Sequence, residues 1–231
     1  MPRTARIVLP GRPHHVTQRG NNSQTVFRND DDRRLYLRLL AQQSRVFGLS
    51  LLGYCLMGNH VHLVVVPRRA GSLALAVGRT HWLFTRAANL RAGRTGHLWQ
   101  NRFFSCPLDE AGLLAVMCYV EQNPVRAGLV RAPWRYPWSS AAVHCRLATD
   151  AGLLDLAAWA RLRRGSRPWR EVLRRRQAEA EAQAIRDRTR AGRPLASPPR
   201  IAEWERRLGR KLRPSPVGRP PKALEHMREN R

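Results

Sequence analysis

Apolar and polar residues along this chain change their spacing several times, and each change marks an element. Residues 12–20 (RPHHVTQRG) alternate in character, which predicts a first strand closed by Gly20, Asn21 and Asn22. Asn29 followed by Asp30, Asp31 and Asp32 sets a capping amide and three acids against the positive end of a helix dipole. That helix is expected to run to about Phe47, with an apolar face of Leu35, Leu39, Leu40 and Val46 or Phe47, and to stop at Gly48. Residues 50–57 and 60–67 are two apolar-rich runs joined by Gly58 and Asn59, the pattern of a hairpin. A second helix is expected from Ser72 to near Gly93, through Leu75, Val77, Trp82, Leu83 and Leu90. A short strand near Phe103–Cys106 follows, then a third helix from Ala111 to Asn123 behind Asp109 and Glu110. Pro124 disfavours helical geometry at the residue before it and is expected to end that helix.

This order predicts an α+β domain over residues 1–147, a ferredoxin-like antiparallel sheet with helices on one face. Residues 148–231 differ in character, and from residue 151 onward there are 22 basic and nine acidic residues with repeated Arg and Pro. They are read as a C-terminal extension: an exposed Arg-rich helical stretch over Trp159–Ile185, a short helix around Ile201, Trp204 and Leu208, and an extended PSPVGRPPK segment. A Gly-Arg-Pro core of this kind resembles a minor-groove hook, and the extension reads as an arm that contacts DNA phosphates, with a solvated linker as the alternative.

Composition sharpens the choice of partner. The net charge is +26, and only Lys211 and Lys222 are lysines among 42 basic residues. Codon bias accounts for Arg in place of Lys but not for an acid count of 16, so the charge points to a polyanion, nucleic acid first. No run approaches the length of a membrane span, and the first 20 residues lack the apolar core of a signal peptide. Cys55, Cys106, Cys118 and Cys145 are scattered without a C-x-x-C pair, and read as reduced, mostly buried residues of a cytoplasmic protein.

The chemistry centres on GYCLMGNHVHLVVVP, residues 53–67. In a strand His60 and His62 project from one face, roughly 7 Å apart, with Val61 pointing the other way. Two imidazoles on a rigid strand form half of a metal site. The other half is expected from the third helix, where Asn123 lies about 40° from Tyr119 at one turn's distance. Two imidazoles and an amide oxygen suit a divalent ion with open positions, which would polarise a phosphate while Tyr119 attacks phosphorus. The stretch GHLWQNRFFSCP, residues 96–107, interleaves aromatics with Gln100 and Arg102, and serves equally as a base-stacking loop or a core-packing one. His14 and His15 face opposite sides of the first strand, with packing or phosphate contact as their expected roles. Tyr136 sits in a Pro-bounded loop and is open to base stacking.

Several blocks in order, PRTARIVLPGRPHHVTQRGNN, GYCLMGNHVHLVVVP, GHLWQNRFFS, YVEQNPVRAGLV and YPWSSA, resemble the single-tyrosine HUH transposases. The resemblance covers about residues 2–145 and is greatest to the REP-associated branch, whose C-terminal extension this chain's basic tail, with LGRKLRPSPVGRPPK, also resembles. It implies an endonuclease and strand transferase on single-stranded DNA that cleaves beside a hairpin, leaving a 5′-phosphotyrosine and a free 3′-OH, with Mg²⁺ or Mn²⁺ as cofactor. The family's metal motif falls on His60 and His62, its further ligand on Asn123 and its nucleophile on Tyr119. Candidate DNA contacts are Arg12, Arg19, Asn22, Trp99, Arg102, Arg126 and Arg219. One departure is Gly58, two residues before His60, where proline is expected; glycine makes for a looser turn. The branch implies a monomer, and the wider family a dimer that exchanges its tyrosine helices. The rival readings are a catalytically silent DNA- or RNA-binding protein, a metal-dependent hydrolase of small substrates and a basic structural protein.

Overall fold

The computed structural model describes residues 5–213. Its sheet has four strands, β1 (His14–Arg19), β2 (Leu49–Leu56), β3 (His60–Pro67) and β4 (Phe104–Pro107), in the order β2-β3-β1-β4 with every pairing antiparallel. Helices α1 (Asp30–Phe47) and α2 (Ser72–Arg91) fill the crossovers, giving the expected ferredoxin-like order. They pack together on one face of the sheet, over Val16, Val61, Leu63 and Val65. Strand alternation then sends His60, His62, His15 and Thr17 to the opposite face.

Local signals account for much of this. Asn29 Oδ1 accepts from the Asp32 amide at 3.0 Å, and Gly48 closes α1 in the left-handed conformation at φ 66°. The hairpin loop is tied from outside: the Val26 and Phe27 amides donate to Gly58 O at 2.9 and 3.0 Å, and the Gly20 amide to Asn59 O at 2.8 Å. Neighbouring backbone thus holds the turn that Gly58 leaves loose. On α1 the expected face holds: Leu40 is buried, Leu35, Leu39 and Phe47 pack against the same core, and of the two alternatives at its end Val46 is exposed. Asp32, Tyr36, Gln43 and Ser44 are buried as well. On α2 the buried stripe is Leu73, Ala76, Val77, Thr80, His81 and Phe84, which leaves Leu75, Trp82 and Leu90 outside. Tyr36 Oη and His81 Nε2 bond at 2.8 Å, so two polar residues of that core are paired with each other, while His81 Nδ1 is buried without a partner.

The third helix, α3 (Glu110–Arg126), covers the second face of the sheet, adding a layer beyond the two helices expected on one face. It does not stop at Asn123; Pro124 lies inside it. Burial of Val116 through Pro124 and bonds from Asn123 Nδ2 and Arg126 Nη1 to the Tyr119 carbonyl hold the last turn against the proline's bias. Gly53 of β2 faces α3 so closely that a Cβ there would stand 2.4 Å from Met117 Sδ.

Residues 148–213 pack onto this second layer and the chain beside it. Four short helices follow the 4-residue α4 (Ala141–His144): α5 (Leu156–Leu162), α6 (Trp169–Arg174), α7 (Glu179–Ala191) and α8 (Pro198–Leu208). Trp159, Trp169, Leu173, Ala182 and Ile185 join Met117 and Val120 in one core, so the stretch read as exposed is amphipathic and docked. Trp204 of α8 is fully buried with Ile7, Leu9 and Leu212. The Leu195 amide donates to Pro107 O at 3.0 Å, and Asp109 takes the Gly112 and Ser197 amides on its two oxygens at 2.8 Å each, which fastens the segment to β4 and to the start of α3. The PSPVGRPPK segment, with Arg219, lies outside the described residues.

Candidate active site

The second layer does not close over the whole sheet. A cleft of about 270 Å³ remains between β1, β3 and β4 on one side and α3 and α7 on the other. It is lined by His60 and His62 of β3, His15, Thr17 and Arg19 of β1, Tyr119 and Asn123 of α3, and Arg186, Thr189 and Arg190 of α7. Sequence-predicted ligands and nucleophile therefore share one cleft. The His60 and His62 rings are 5.0 Å apart and nearly perpendicular, and the Tyr119 ring is 5.4 Å from His62.

Each ring is held by its neighbours. His60 Nδ1 lies 2.7 Å from Asn59 Oδ1, an oxygen that can only accept. His62 Nδ1 lies 3.0 Å from His15 Nε2, and His15 Nδ1 lies 2.8 Å from Thr189 Oγ1. On the Tyr119 ring sits the Arg126 guanidinium, 4.9 Å from its centroid. Asn123 spends Nδ2 on the Tyr119 carbonyl at 3.0 Å and keeps Oδ1 as an acceptor. Arg186 has its pKa raised, first by the hydrogen bond to Glu179 and further by Tyr119 across the cleft.

Burial sets the protonation of the rings. It pushes His15 down to about 3, and burial followed by the Arg19 guanidinium pushes His60 down to about 4. His62 falls well below the ordinary range through burial first, then His60, His15, Arg126 and Arg19. All three are neutral near pH 7, the form that offers a lone pair to a metal. Among the described residues no group of three or more His, Cys, Asp or Glu side chains could hold a metal ion. The donor set the sequence predicts, His60, His62 and Asn123, faces this cleft, with His15 as a third imidazole behind His62.

Other candidates lie elsewhere. Trp99 is buried and stacks on His81 at 4.4 Å, so its face belongs to the core and not to a base. Tyr136 is buried as well, its hydroxyl donating to Leu56 O at 2.8 Å. His14 is a core residue, taking the Leu9 amide on Nε2 at 3.2 Å. Arg12 pairs with Glu110 at 3.4 Å away from the cleft, and Asn22 is an exposed left-handed turn residue at φ 48°. Arg102 lines a second groove of about 420 Å³ with Arg6, Arg190, Arg193 and Arg210, which joins the first at Phe104, Thr189 and Arg190. Arg126 supports the tyrosine ring from below.

Sequence reading missed Arg186, Thr189 and Arg190. The available signal was the stripe Ala182, Ile185, Thr189 at helical spacing, where one polar residue interrupts an otherwise apolar buried face and Arg186 and Arg190 flank it.

Residues 13–123 match the family model described as Transposase IS200 like. Over that span the chain is similar to the IS200-like transposases. That span begins just before β1 and ends on Asn123, so it contains both histidines, the tyrosine and the amide, while α7 lies beyond it. A solved structure described as a REP-associated tyrosine transposase bound to a REP hairpin is similar in fold, with a TM-score of 0.55 at 17% identity, over 67% of this chain and 94% of that one. A second, from Deinococcus radiodurans and named as a candidate transposase, has a TM-score of 0.37 at 17% identity, over 52% of this chain and 96% of that one. No curated protein sequence matches the chain. Among the described residues no helix is long and apolar enough to cross a membrane.

Proposed function

We propose that this transposase domain nicks and rejoins single-stranded DNA beside a hairpin, with Tyr119 as nucleophile. The observation that carries this reading is the meeting of the Tyr119 ring and the His60–His62 pair in one open cleft on a strongly basic chain. The hairpin-bound structure of similar fold supports a hairpin substrate.

The residues fit a divalent cation, Mg²⁺ or Mn²⁺. His60 gives its Nδ1 proton to Asn59, so Nε2 is its free nitrogen, and Asn123 Oδ1 adds an oxygen. When bound, the ion would polarise the scissile phosphate and offset the charge that develops on it. Tyr119 Oη attacks phosphorus; the bond from phosphorus to the 3′-oxygen breaks, and the phenolic proton ends on that oxygen. A 5′-phosphotyrosine and a free 3′-OH result. One phosphodiester is exchanged for another, so the 3′-OH can attack in reverse and rejoin a strand. Arg186 and Arg190 line the same cleft and would face a phosphate held there, and the arginine-lined groove that shares Phe104, Thr189 and Arg190 with it would take the adjoining backbone. The site is complete within one chain, and α6 and α7 of the same chain cover α3, which supports a monomer.

The test is nicking of a labelled hairpin with a single-stranded flank. Cleavage in Mn²⁺, its loss with chelator and its loss in His60→Ala and His62→Ala are expected. Binding without metal-dependent cleavage would instead favour a silent DNA-binding protein.

A further inference from the structure

The third imidazole of the cleft has a role of its own. His15, from β1, stands between His62 on β3 and Thr189 on α7, with its Nε2 3.0 Å from His62 Nδ1 and its Nδ1 2.8 Å from Thr189 Oγ1. The His15 and His62 rings are within 12° of parallel, and both side chains and Thr189 are buried. This is a chain of single hydrogen bonds between buried side chains, and its direction follows from its far end.

Thr189 Oγ1 lies 2.7 Å from the Ile185 carbonyl oxygen. A carbonyl cannot donate, so the one hydroxyl proton of Thr189 is committed to Ile185. Thr189 can then only accept from His15, which places a proton on His15 Nδ1. A neutral His15 with that proton has a bare Nε2, which must accept from His62. The proton of His62 therefore sits on Nδ1, and its Nε2 carries a lone pair. Cys106 Sγ, 3.4 Å from Thr189 Oγ1, fits the same direction as a further donor to that oxygen.

We infer that Thr189 and His15 are positioning residues of the nuclease site: through the Ile185–Thr189–His15–His62 chain they fix the ring and tautomer of His62, so that Nε2 is its free nitrogen. The inference rests on the metal reading of His62 for its purpose but not for its geometry. It also assigns part of the active site to α7, which lies beyond the matched transposase span and within the segment that reads as an arm. Hydrogen-bond partners of this kind typically change metal affinity 10–100-fold when removed.

Thr189→Val keeps the shape and removes the acceptor. His15 Nδ1–H then has no partner, its proton is better placed on Nε2, and His62 must carry its own proton on the nitrogen that would bind metal. The experiment is a two-bond ¹⁵N–¹H correlation spectrum of the imidazole rings in the metal-free full chain, paired with Mn²⁺ titration followed by electron paramagnetic resonance. Wild type and Thr189→Ser are expected to show His62 protonated on Nδ1 and to bind Mn²⁺ alike. Thr189→Val is expected to shift His62 toward Nε2–H and to weaken Mn²⁺ by about tenfold or more. The inference is overturned if wild-type His62 carries its proton on Nε2, or if Thr189→Val keeps Nδ1–H and wild-type affinity. The wild-type spectrum decides the ring state even should a variant fold poorly. Should wild type bind no Mn²⁺, the metal reading fails while the spectrum still decides the chain.

Discussion

Trp169 Nε1 donates to Glu121 Oε2 at 2.7 Å, joining α6 to α3 two residues after Tyr119. Glu121 is fully buried, and its other oxygen takes Ser140 Oγ at 2.5 Å and His144 Nδ1 at 2.6 Å. A buried carboxylate survives only when such donors surround it. Glu121 thus gathers α3, α4 and α6 around one group, and the helix that carries Tyr119 is fixed in place by residues far from it in sequence.

Removing the acceptor leaves His144 Nδ1 and Trp169 Nε1 without a partner and Ser140 Oγ with only the Tyr54 carbonyl at 3.3 Å. Glu121→Ala is expected to cost about 3–5 kcal/mol, and Trp169→Phe, which removes one donor, about 1–3 kcal/mol. Urea unfolding of both variants measures this, and a cost under about 0.5 kcal/mol for Glu121→Ala would contradict it.

Two glycines should respond oppositely to alanine. A Cβ at Gly112 would stand 2.3 Å from the Leu195 backbone oxygen, so α3 or the docked C-terminal segment must shift. We expect Gly112→Ala to lose about 1–3 kcal/mol by overpacking. At Gly58 a Cβ meets nothing within 4 Å, and Gly58→Ala should lie within about 0.5 kcal/mol of wild type. Thermal or urea unfolding of the pair reads both.

Acid should destabilise the chain before its carboxylates protonate. Burial pushes His14 down to about 4 and His81 down to about 3. Between pH 6.5 and 4 the unfolded chain binds a proton on each of these rings that the folded chain does not. Stability therefore rises with pH in that window and is lost as pH falls from 6.5, by about 1.4 kcal/mol per pH unit for each such ring. A lower urea midpoint at pH 5 than at pH 7 is expected; an equal or higher one would contradict the burial of these histidines as neutral rings.

Elements that rest on local chemistry were legible in the chain. Asn29 and Gly48 mark α1 because a cap and a left-handed stop are decided within a few residues, and alternation alone puts His60 and His62 on one face. Residues whose role depends on distant partners were not. Trp99 and Tyr136 sit among arginines and prolines and look available for bases, yet His81 and the Leu56 carbonyl claim them. Pro124 reads as a stop, but buried neighbours carry the helix past it. The Arg-rich extension hid its apolar stripe under charge, since Trp159, Trp169 and Ile185 are spread over three short helices. His15 was visible as a histidine on the right strand; its partner Thr189 lies 174 residues away, beyond the reach of any spacing rule.

The central claim is that Tyr119 makes the covalent bond to DNA. Incubating the chain with Mn²⁺ and a hairpin bearing a single-stranded flank, then digesting it and sequencing the adducted peptide by mass spectrometry, tests this directly. The account predicts a nucleotide joined through its 5′-phosphate to Tyr119, and no adduct in Tyr119→Phe. An adduct on another residue, or one that persists in Tyr119→Phe, would contradict it.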